Sequence, residues 1–485
     1  MMHQFKNNFK FLPLTIVSVF LLFSTKGLCQ SKKNKKKPNI IYIMADDLGY
    51  GDLSTYGQEK FNTPNIDALA KNGIKFTQHY SGSAVCAPSR SSLMTGQHTG
   101  HTYVRGNQEA ANGEKGQIPL PDSTFTIAEM LKQAGYTTGM FGKWGLGFGT
   151  GDPNNQGFDE FYGYNDQKLA HRYYPPYLNH NQEIDSLAGN DWTNTQTYAQ
   201  DKIQEATLNF IEDNKEKPFF AYVPFVLPHA ELISPQDSIL AKYKGKFKEV
   251  PFTAGDKYSS DYGPNIVEYK YCTQEIPYAV FASMVDRMDV YVGQIVAKVK
   301  ELGLEKNTII MFTSDNGPHD AGGSNPTFFN SSAGFKGIKR DLYEGGIRAP
   351  FIVSWPNKIK SGTTTNHVSA FWDVMPTLAE IADLPLPKTT DGISFLPTLL
   401  SKNKQKQHPY MYWEFNIKNG RKAVRKGDWK SVLYNANTNG EIELYNLALD
   451  PSESKNIASK HPEIVKEMEQ IMKEAHTESL VFPFK

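Results

Sequence analysis

The chain has 485 residues, with 52 Lys and Arg against 51 Asp and Glu. That balance excludes the large basic excess by which nucleic-acid-binding proteins meet phosphate. Three cysteines cannot build the disulfide framework on which small exported proteins rely, and a chain of this length stabilises itself by burying a core instead.

At the N-terminus, Lys6 and Lys10 precede an apolar run from Phe11 to Phe23, followed by the small, weakly polar stretch Ser24 to Gln30. This reads as a secretory signal peptide over residues 1–29. The run is shorter than the roughly 18 to 20 apolar residues of a spanning helix, and no later stretch approaches that length. An exported protein, periplasmic or secreted and with no membrane span, is expected. Lys26, Gly27 and Leu28 ahead of Cys29 make a poor lipobox, which favours simple cleavage near Cys29 or Gln30 over lipid anchoring. Cleavage removes Lys6, Lys10 and Lys26 and no acid, leaving 49 basic residues against 51 acidic. The run Lys32, Lys33, Lys35, Lys36 and Lys37 then reads as a solvated leader.

Asn39 to Ala45 is apolar without alternation, the pattern of a strand buried on both faces of a parallel sheet, and it runs into Asp46-Asp47. A second copy, Thr308 to Ser314, runs into Asp315-Asn316-Gly317. Helical spacing marks Asn65 to Asn72, Thr126 to Ala134, Thr197 to Asn214 and Pro277 to Leu302, while Phe219 to Phe225 and Phe351 to Trp355 read as further strands. Strands alternating with helices predict an α/β sandwich with a mostly parallel sheet. From about residue 402, after the charged run Lys402 to Lys406, short aromatic strands (Tyr410 to Phe415, Trp429 to Tyr434) and an amphipathic helix (Pro462 to Ala475) predict a smaller α+β domain. The expected boundaries are 38–401 and 402–485.

Ligands of open parallel sheets bind at the carboxyl ends of strands, where Asp46, Asp47, Asp315 and Asn316 fall. Three carboxylates and an amide oxygen suit a hard cation, Ca²⁺ or Mg²⁺, rather than zinc. Both sequences are also turn formers; two matched strand ends favour the metal. Cys86 precedes Pro88 and a helical stretch from Ser89 to Met94, and a helix start of this kind offers unpaired amides to an anion. Arg90, four residues on, shares a helical face with Cys86. The bland alternative is a buried, inert thiol.

Cys86-Ala87-Pro88-Ser89-Arg90, followed by Ser91-Ser92-Leu93-Met94-Thr95-Gly96, resembles the signature of the formylglycine-dependent sulfatases of the alkaline-phosphatase-like superfamily. In that family a maturation enzyme reads Cys-x-Pro-x-Arg and oxidises the cysteine to an aldehyde whose hydrate is the nucleophile. The resemblance implies that fold, a formylglycine from Cys86, and Ca²⁺ (Mg²⁺ as the alternative) held by Asp46, Asp47, Asp315, Asn316 and modified Cys86. Gly135 to Trp144 resembles the second signature and implies that Lys143 contacts nucleophile and sulfate. Pro228-His229 resembles the segment whose histidine protonates the leaving alkoxide. Lys339 to Arg348 resembles the segment whose lysine binds sulfate, here Lys339. Glu443 to Leu447 with Asp450-Pro451 resembles the C-terminal domain, so the likeness spans roughly residues 38 to 475.

The chemistry agrees with the resemblance. A sulfate monoester needs cations around its nonbridging oxygens, for which Arg90, Lys143, Lys339 and the metal serve, and a proton donor at the leaving oxygen, for which His229 is the candidate. One position departs. The family's Lys-Trp-His-Leu-Gly is here Lys143-Trp144-Gly145-Leu146-Gly147, so His171 or His319 is expected to take over part of the missing histidine's role. The ring-rich stretch from Gly157 to Tyr174 contains Gln167 and His171, groups suited to reading sugar hydroxyls. With the leader, and by resemblance to bacterial carbohydrate sulfatases, the expectation is an exo-acting glycan sulfatase on galactose-type or other algal or host sulfated polysaccharides. Gln167, His171 and His319 are its expected substrate-binding residues. The alternatives are a phosphatase or phosphonate monoester hydrolase of the same superfamily and a non-catalytic glycan-binding protein.

Overall fold

Strand β1 (Asn39–Ala45) is buried along its whole length, and its side chains divide between two cores. Ile40, Tyr42 and Met44 enter one and Ile41, Ile43 and Ala45 the other, the two-residue period of a pleated strand. An unbroken apolar run is therefore what a strand covered on both faces requires. In the computed structural model, the described residues are 36–484 without 112–114, 255–260, 269 and 403, together with 7, 8 and 10. The expected signal peptide thus lies outside the described residues save for three isolated positions. None of the described helices is long and apolar enough to cross a membrane.

The further strands are β2 (Ile74–Tyr80), β3 (Thr137–Lys143), β4 (Glu160–Tyr164), β5 (Tyr177–His180), β6 (Glu183–Ser186), β7 (Phe219–Pro224), β8 (Thr308–Ser314), β9 (Arg348–Ser354), β10 (Thr363–Thr365) and β11 (Ser369–Ala370). Among the described residues they form one eleven-stranded sheet in the order β10-β2-β9-β8-β1-β7-β3-β4-β5-β6, with β11 on β2. The middle strands β8, β1, β7, β3 and β4 run parallel, while β9 and the β5–β6 ribbon join antiparallel. Helices Pro64–Lys71, Ala199–Asp213 and Pro277–Glu301 contribute to one core, and Cys86–Thr95, Ile127–Gln133 and Val374–Ile381 to the other. The predicted α/β sandwich is the observed fold.

Strands β12 (Met411–Phe415), β13 (Arg421–Lys426), β14 (Trp429–Tyr434) and β15 (Ile442–Asn446) form an antiparallel meander. One face packs Met411, Trp413, Ala423 and Val432 with Tyr80 and Trp372; the other packs Tyr412, Val424 and Leu444 with Met468 and Met472 of helix Pro462–Glu474. Trp413 Nε1 donates to Ser81 O at 3.0 Å, which ties this sheet to the segment leading into Cys86.

Candidate active site

Register places the first acidic pair. Ala45 of β1 lies opposite Ser314 of β8, and Asp315 N–H donates to Ala45 O at 3.0 Å, so Asp46 and Asp315 emerge side by side where the strands end. Asp47 turns away with φ 63°, a left-handed conformation that Asp tolerates better than most residues. Its N–H donates to Asp315 Oδ1 at 3.1 Å, and its Oδ1 accepts Asn316 Nδ2 at 2.7 Å. Gly317 completes the turn because a side chain there would meet Gly345 O at 2.0 Å. The Asn-Gly of one motif and the Gly-Gly of the Lys339 segment are thus two halves of one contact.

Cys86 opens the helix Cys86–Thr95, three residues earlier than the sequence suggests, with Pro88 in the first turn. Asn107 Oδ1 takes the Ala87 N–H at 3.0 Å. Cys86 is 1% exposed, and its Sγ faces Asp46 Oδ1 at 3.3 Å, Lys143 Nζ at 3.4 Å and Lys339 Nζ at 3.7 Å. Lys143, the last residue of β3, also donates to Asp46 Oδ2 at 2.6 Å, and Lys339 to Asp47 Oδ2 at 2.7 Å. Arg90, one helical turn beyond Cys86, pairs with Asp315 Oδ2 at 2.8 Å and Asp46 Oδ2 at 3.3 Å and donates to Lys143 O.

His229 Nδ1 faces Ala230 O, so that nitrogen carries the proton and Nε2 turns into the site, 3.2 Å from Lys339 Nζ and 3.3 Å from Asp47 Oδ2. His171 stacks on it, ring centroids 5.1 Å apart and 6° from parallel, with Nδ1 buried and without a partner among the described residues. His319 spends both nitrogens on backbone: Nδ1 accepts Ala321 N–H at 3.1 Å and Nε2 lies 3.3 Å from Pro228 O. His171 is therefore better placed than His319 to serve where the histidine at 145 is missing. Gly145 has φ +76°, and a Cβ there would stand 2.9 Å from Gln167 Cγ. Gln167 fills that space and reaches Gly145 O from Nε2 at 3.4 Å.

Charge and burial set the protonation states. Burial opposes ionisation of Asp46 and Asp47, but the surrounding positive groups together, led by Lys143 at Asp46 and Lys339 at Asp47, outweigh it and hold both carboxyls below their usual range. Burial, then the neighbouring Asp46 charge, pushes Asp315 up to about 6. Burial, then Asp46, pushes the Cys86 thiol up. Burial and Lys339 hold His229 low, and burial with Lys143 and Lys339 takes His171 down to about 3.

Three buried carboxylates crowd this point, and Asn316 Oδ1 is buried with no partner among the described residues. An all-oxygen set of Asp46, Asp47, Asp315 and Asn316, with an orphaned oxygen among them, fits a hard cation. Asp46, Asp47, Cys86 and His229 also bring ligand atoms within 4.8 Å of one another. His229 Nε2 faces an ammonium, which makes the oxygens the better donors.

Beside the cluster opens a cavity of about 500 Å³ lined by Asn107, Glu109, Gln117, Gln167, Lys168 and His171. A larger one, about 580 Å³, lies by His101, Arg105 and residues 477–481 and contains none of the expected site residues. The structure thus brings all the expected catalytic and metal-binding residues together, with Gln167 and His171 on the cavity wall. Sequence reading missed Asn107, Gln117 and Tyr271, whose ring lies 5.4 Å from His171. None carries a motif, and all three come from loops.

A buried cysteine faced by two ammonium groups and a cluster of oxygens fit for a hard cation, at the carboxyl ends of a parallel sheet between two helical layers, is the arrangement of the alkaline-phosphatase-like fold. The family model for sulfatases matches residues 38–384, and that for the C-terminal region of N-sulphoglucosamine sulphohydrolase matches 335–478. The chain belongs to the sulfatase family and is a sulfuric ester hydrolase. It is 31% identical to N-acetylgalactosamine-6-O-sulfatase of Bacteroides thetaiotaomicron over 97% of this chain and 100% of that one. It is 33% identical to an arylsulfatase of Hemicentrotus pulcherrimus over 83% of this chain and 69% of that one. Among solved structures it resembles Ps i-CgsB in complex with k-i-k-neocarrahexaose, with TM-score 0.74, 26% identity and coverage of 90% and 92%.

Proposed function

We propose that this sulfatase removes sulfate from carbohydrate monoesters, working from chain ends of galactose-type or other algal or host sulfated glycans, after export to the periplasm or exterior. The observation that carries the reading is the convergence of Lys143 and Lys339 on Cys86 Sγ beside a polar cavity walled by Gln167 and His171. Its wall offers amide and imidazole groups rather than a greasy slot, which suits a hydroxylated ring. Relatives named for N-acetylgalactosamine 6-sulfate and a neighbour solved with neocarrahexaose support a sugar ester. The catalytic domain is residues 38–401 and the closing domain 402–485.

In this reading Cys86 is a precursor. A maturation enzyme with an oxidant would convert it to formylglycine, whose hydrate would supply the nucleophilic hydroxyl, and Asp46, Asp47, Asp315 and Asn316 would hold Ca²⁺ or Mg²⁺, which would supply positive charge to the sulfate oxygens. Lys143, Lys339 and Arg90 add fixed positive charge that needs no reorganisation as the ester bond breaks. Lys143 and Lys339 also fix the residue at position 86. Ala230 O keeps one proton on His229 Nδ1, so the acid role requires the imidazolium form: the negative charge of a bound sulfate ester favours a second proton on Nε2, and that proton goes to the leaving alkoxide. His171 backs His229 and, with Gln167, faces the sugar from the cavity wall, while His319 holds the backbone of Pro228 and Ala321.

The test is sulfate release from a panel of position-defined sulfated mono- and disaccharides, with Cys86→Ala as control. Release that Cys86→Ala abolishes is expected. Phosphate-ester turnover without sulfate release would overturn the reading in favour of a phosphatase or phosphonate hydrolase. Tight sugar binding with no release of either anion would make the protein a glycan binder.

A further inference from the structure

Lys339 reaches Cys86 from an irregular segment, residues 337–342, rather than from a strand end as Lys143 does. Long ammonium side chains lose rotamer freedom when held, so the backbone beneath Lys339 must itself be fixed. On the side of the nucleophile, Lys339 N–H donates to Pro318 O and Arg340 N–H to Ala84 O, each at 2.8 Å. Arg340 then takes φ 79°, a left-handed conformation that a residue with a Cβ keeps only where its surroundings hold it.

The hold comes from the C-terminal sheet. Arg421, the first residue of β13 and 7% exposed, donates from Nη1 to Arg340 O and, at 2.8 Å, to Asp341 Oδ1. Tyr434, its register partner on β14, donates its hydroxyl to the same Asp341 Oδ1 at 3.1 Å and accepts Leu342 N–H at 3.3 Å. The Arg421 guanidinium lies 4.2 Å over the Tyr434 ring, which fixes both groups at once. Asp341 Oδ2 closes the turn by accepting Ile338 N–H at 3.2 Å. Of the backbone groups named here, Arg340 N–H is held by the segment before Cys86, Lys339 N–H by the segment after Asp315-Asn316, Ile338 N–H by Asp341, and Arg340 O and Leu342 N–H by these two side chains.

We infer that Arg421 and Tyr434 are positioning residues for Lys339: the C-terminal sheet sets the place of the sulfate-binding ammonium without touching the reacting atoms. The inference rests on the proposed role of Lys339 and deepens it. It gives the small sheet a part in catalysis beyond stability.

The experiment is a double-mutant cycle on the full-length, matured protein with p-nitrophenyl sulfate, accompanied by thermal unfolding. Arg421→Gln is expected to lower kcat/KM by about ten- to a hundredfold, the cost of displacing an aligned group by roughly an ångström. In a Lys339→Ala background the same change should cost less than about twofold, because residues acting through one group are not additive. Equal losses in both backgrounds would overturn the inference, since a general structural defect harms either. Tyr434→Phe, which keeps the ring and removes only the hydroxyl, repeats the cycle with a smaller loss should Arg421→Gln fail to fold. If Lys339→Ala keeps full activity, the proposed role of Lys339 falls. A crystal structure of Arg421→Gln then decides the positioning separately: an ammonium displaced from Asp47 supports it, and one in its native place overturns it.

Discussion

The protein buries two clusters of charge, and one of them lies beside a polar cavity. At the strand ends, Asp46, Asp47 and Asp315 face Arg90, Lys143 and Lys339. Under the small sheet, Lys430 Nζ lies 2.9 Å from Glu344 and 3.1 Å from Glu453. Glu344 N–H donates to Glu453 Oε2 at 2.6 Å, and Tyr80 and Arg348 complete the shell of Glu344. Both clusters pay desolvation. The second is closed by counter-charges, and it fastens the C-terminal sheet to β2 and β9. The first keeps Asn316 Oδ1 without a partner, gathers two ammonium groups on a neutral thiol and lies beside a cavity. Burial of charge is therefore a poor sign of function by itself; cations gathered on an uncharged group beside a cavity are a better one.

Experiments that break one cluster at a time sharpen this contrast. His229→Ala is expected to lower kcat by about 10²- to 10⁴-fold on a sugar sulfate, and by much less on p-nitrophenyl sulfate, whose leaving group is stable without a proton. Equal losses on both substrates would remove His229 from the acid role. Lys430→Met leaves Glu344 and Glu453 without their shared cation and should destabilise the fold by about 3 to 5 kcal/mol. Chemical denaturation would measure that loss, while kcat per folded molecule stays near the native value. A chelator should have the converse effect. If the strand-end oxygens hold a cation at a hundredfold excess over its Kd, stripping it lowers stability by about 2.7 kcal/mol. An unfolding temperature indifferent to chelator and to added Ca²⁺ would count against the metal assignment.

The smallest expected effect is that of pH on the closed cluster. Burial first, opposed by Lys430 and reinforced by Glu344, pushes Glu453 up to about 7, while at Glu344 burial is outweighed by Lys430, Arg348 and Arg425 together, which take it down to about 2. Between the ordinary glutamate value and about 7 the folded state holds the Glu453 proton more tightly than the unfolded chain does. Its contribution to stability is therefore fully present at low pH and is lost as pH rises through that window. Glu344 acts below it, in the opposite sense. Glu453→Gln should flatten the decline of unfolding temperature between pH 5 and pH 8, by about a degree or two. An unchanged slope would show that Glu453 does not titrate there.

Much of this was legible before any coordinates. The unbroken apolar runs ending in Asp46-Asp47 and Asp315-Asn316 announced strands covered on both faces, and β1 and β8 are neighbours in register. The motif around Cys86 announced a helix start, although the helix begins at Cys86 rather than at Ser89. The antiparallel ribbon β5–β6 and strand β13 were not legible: their residues alternate weakly or carry charge, and their pairing is decided by partners distant in sequence. The same holds for Asn107, which caps the Cys86 helix from a loop. The exchange at position 145 was visible as a departure. Its consequence was not, because Gln167 lies 22 residues away and only folding brings it over Gly145.

Local order along the chain determined which chemical groups exist and which elements carry them, since hydrophobic period and turn residues act over a few neighbours. It determined the α/β class, the strand-end acids, the cysteine ahead of its proline and the basic residues expected to serve an anion. Tertiary structure alone decided which of these groups share one point in space. Lys143, Lys339 and Cys86 converge because parallel strands end together and because Arg421 and Tyr434, more than 80 residues beyond Lys339, grip the turn that carries it. Such a convergence depends on contacts between distant segments, and no short window of sequence contains them.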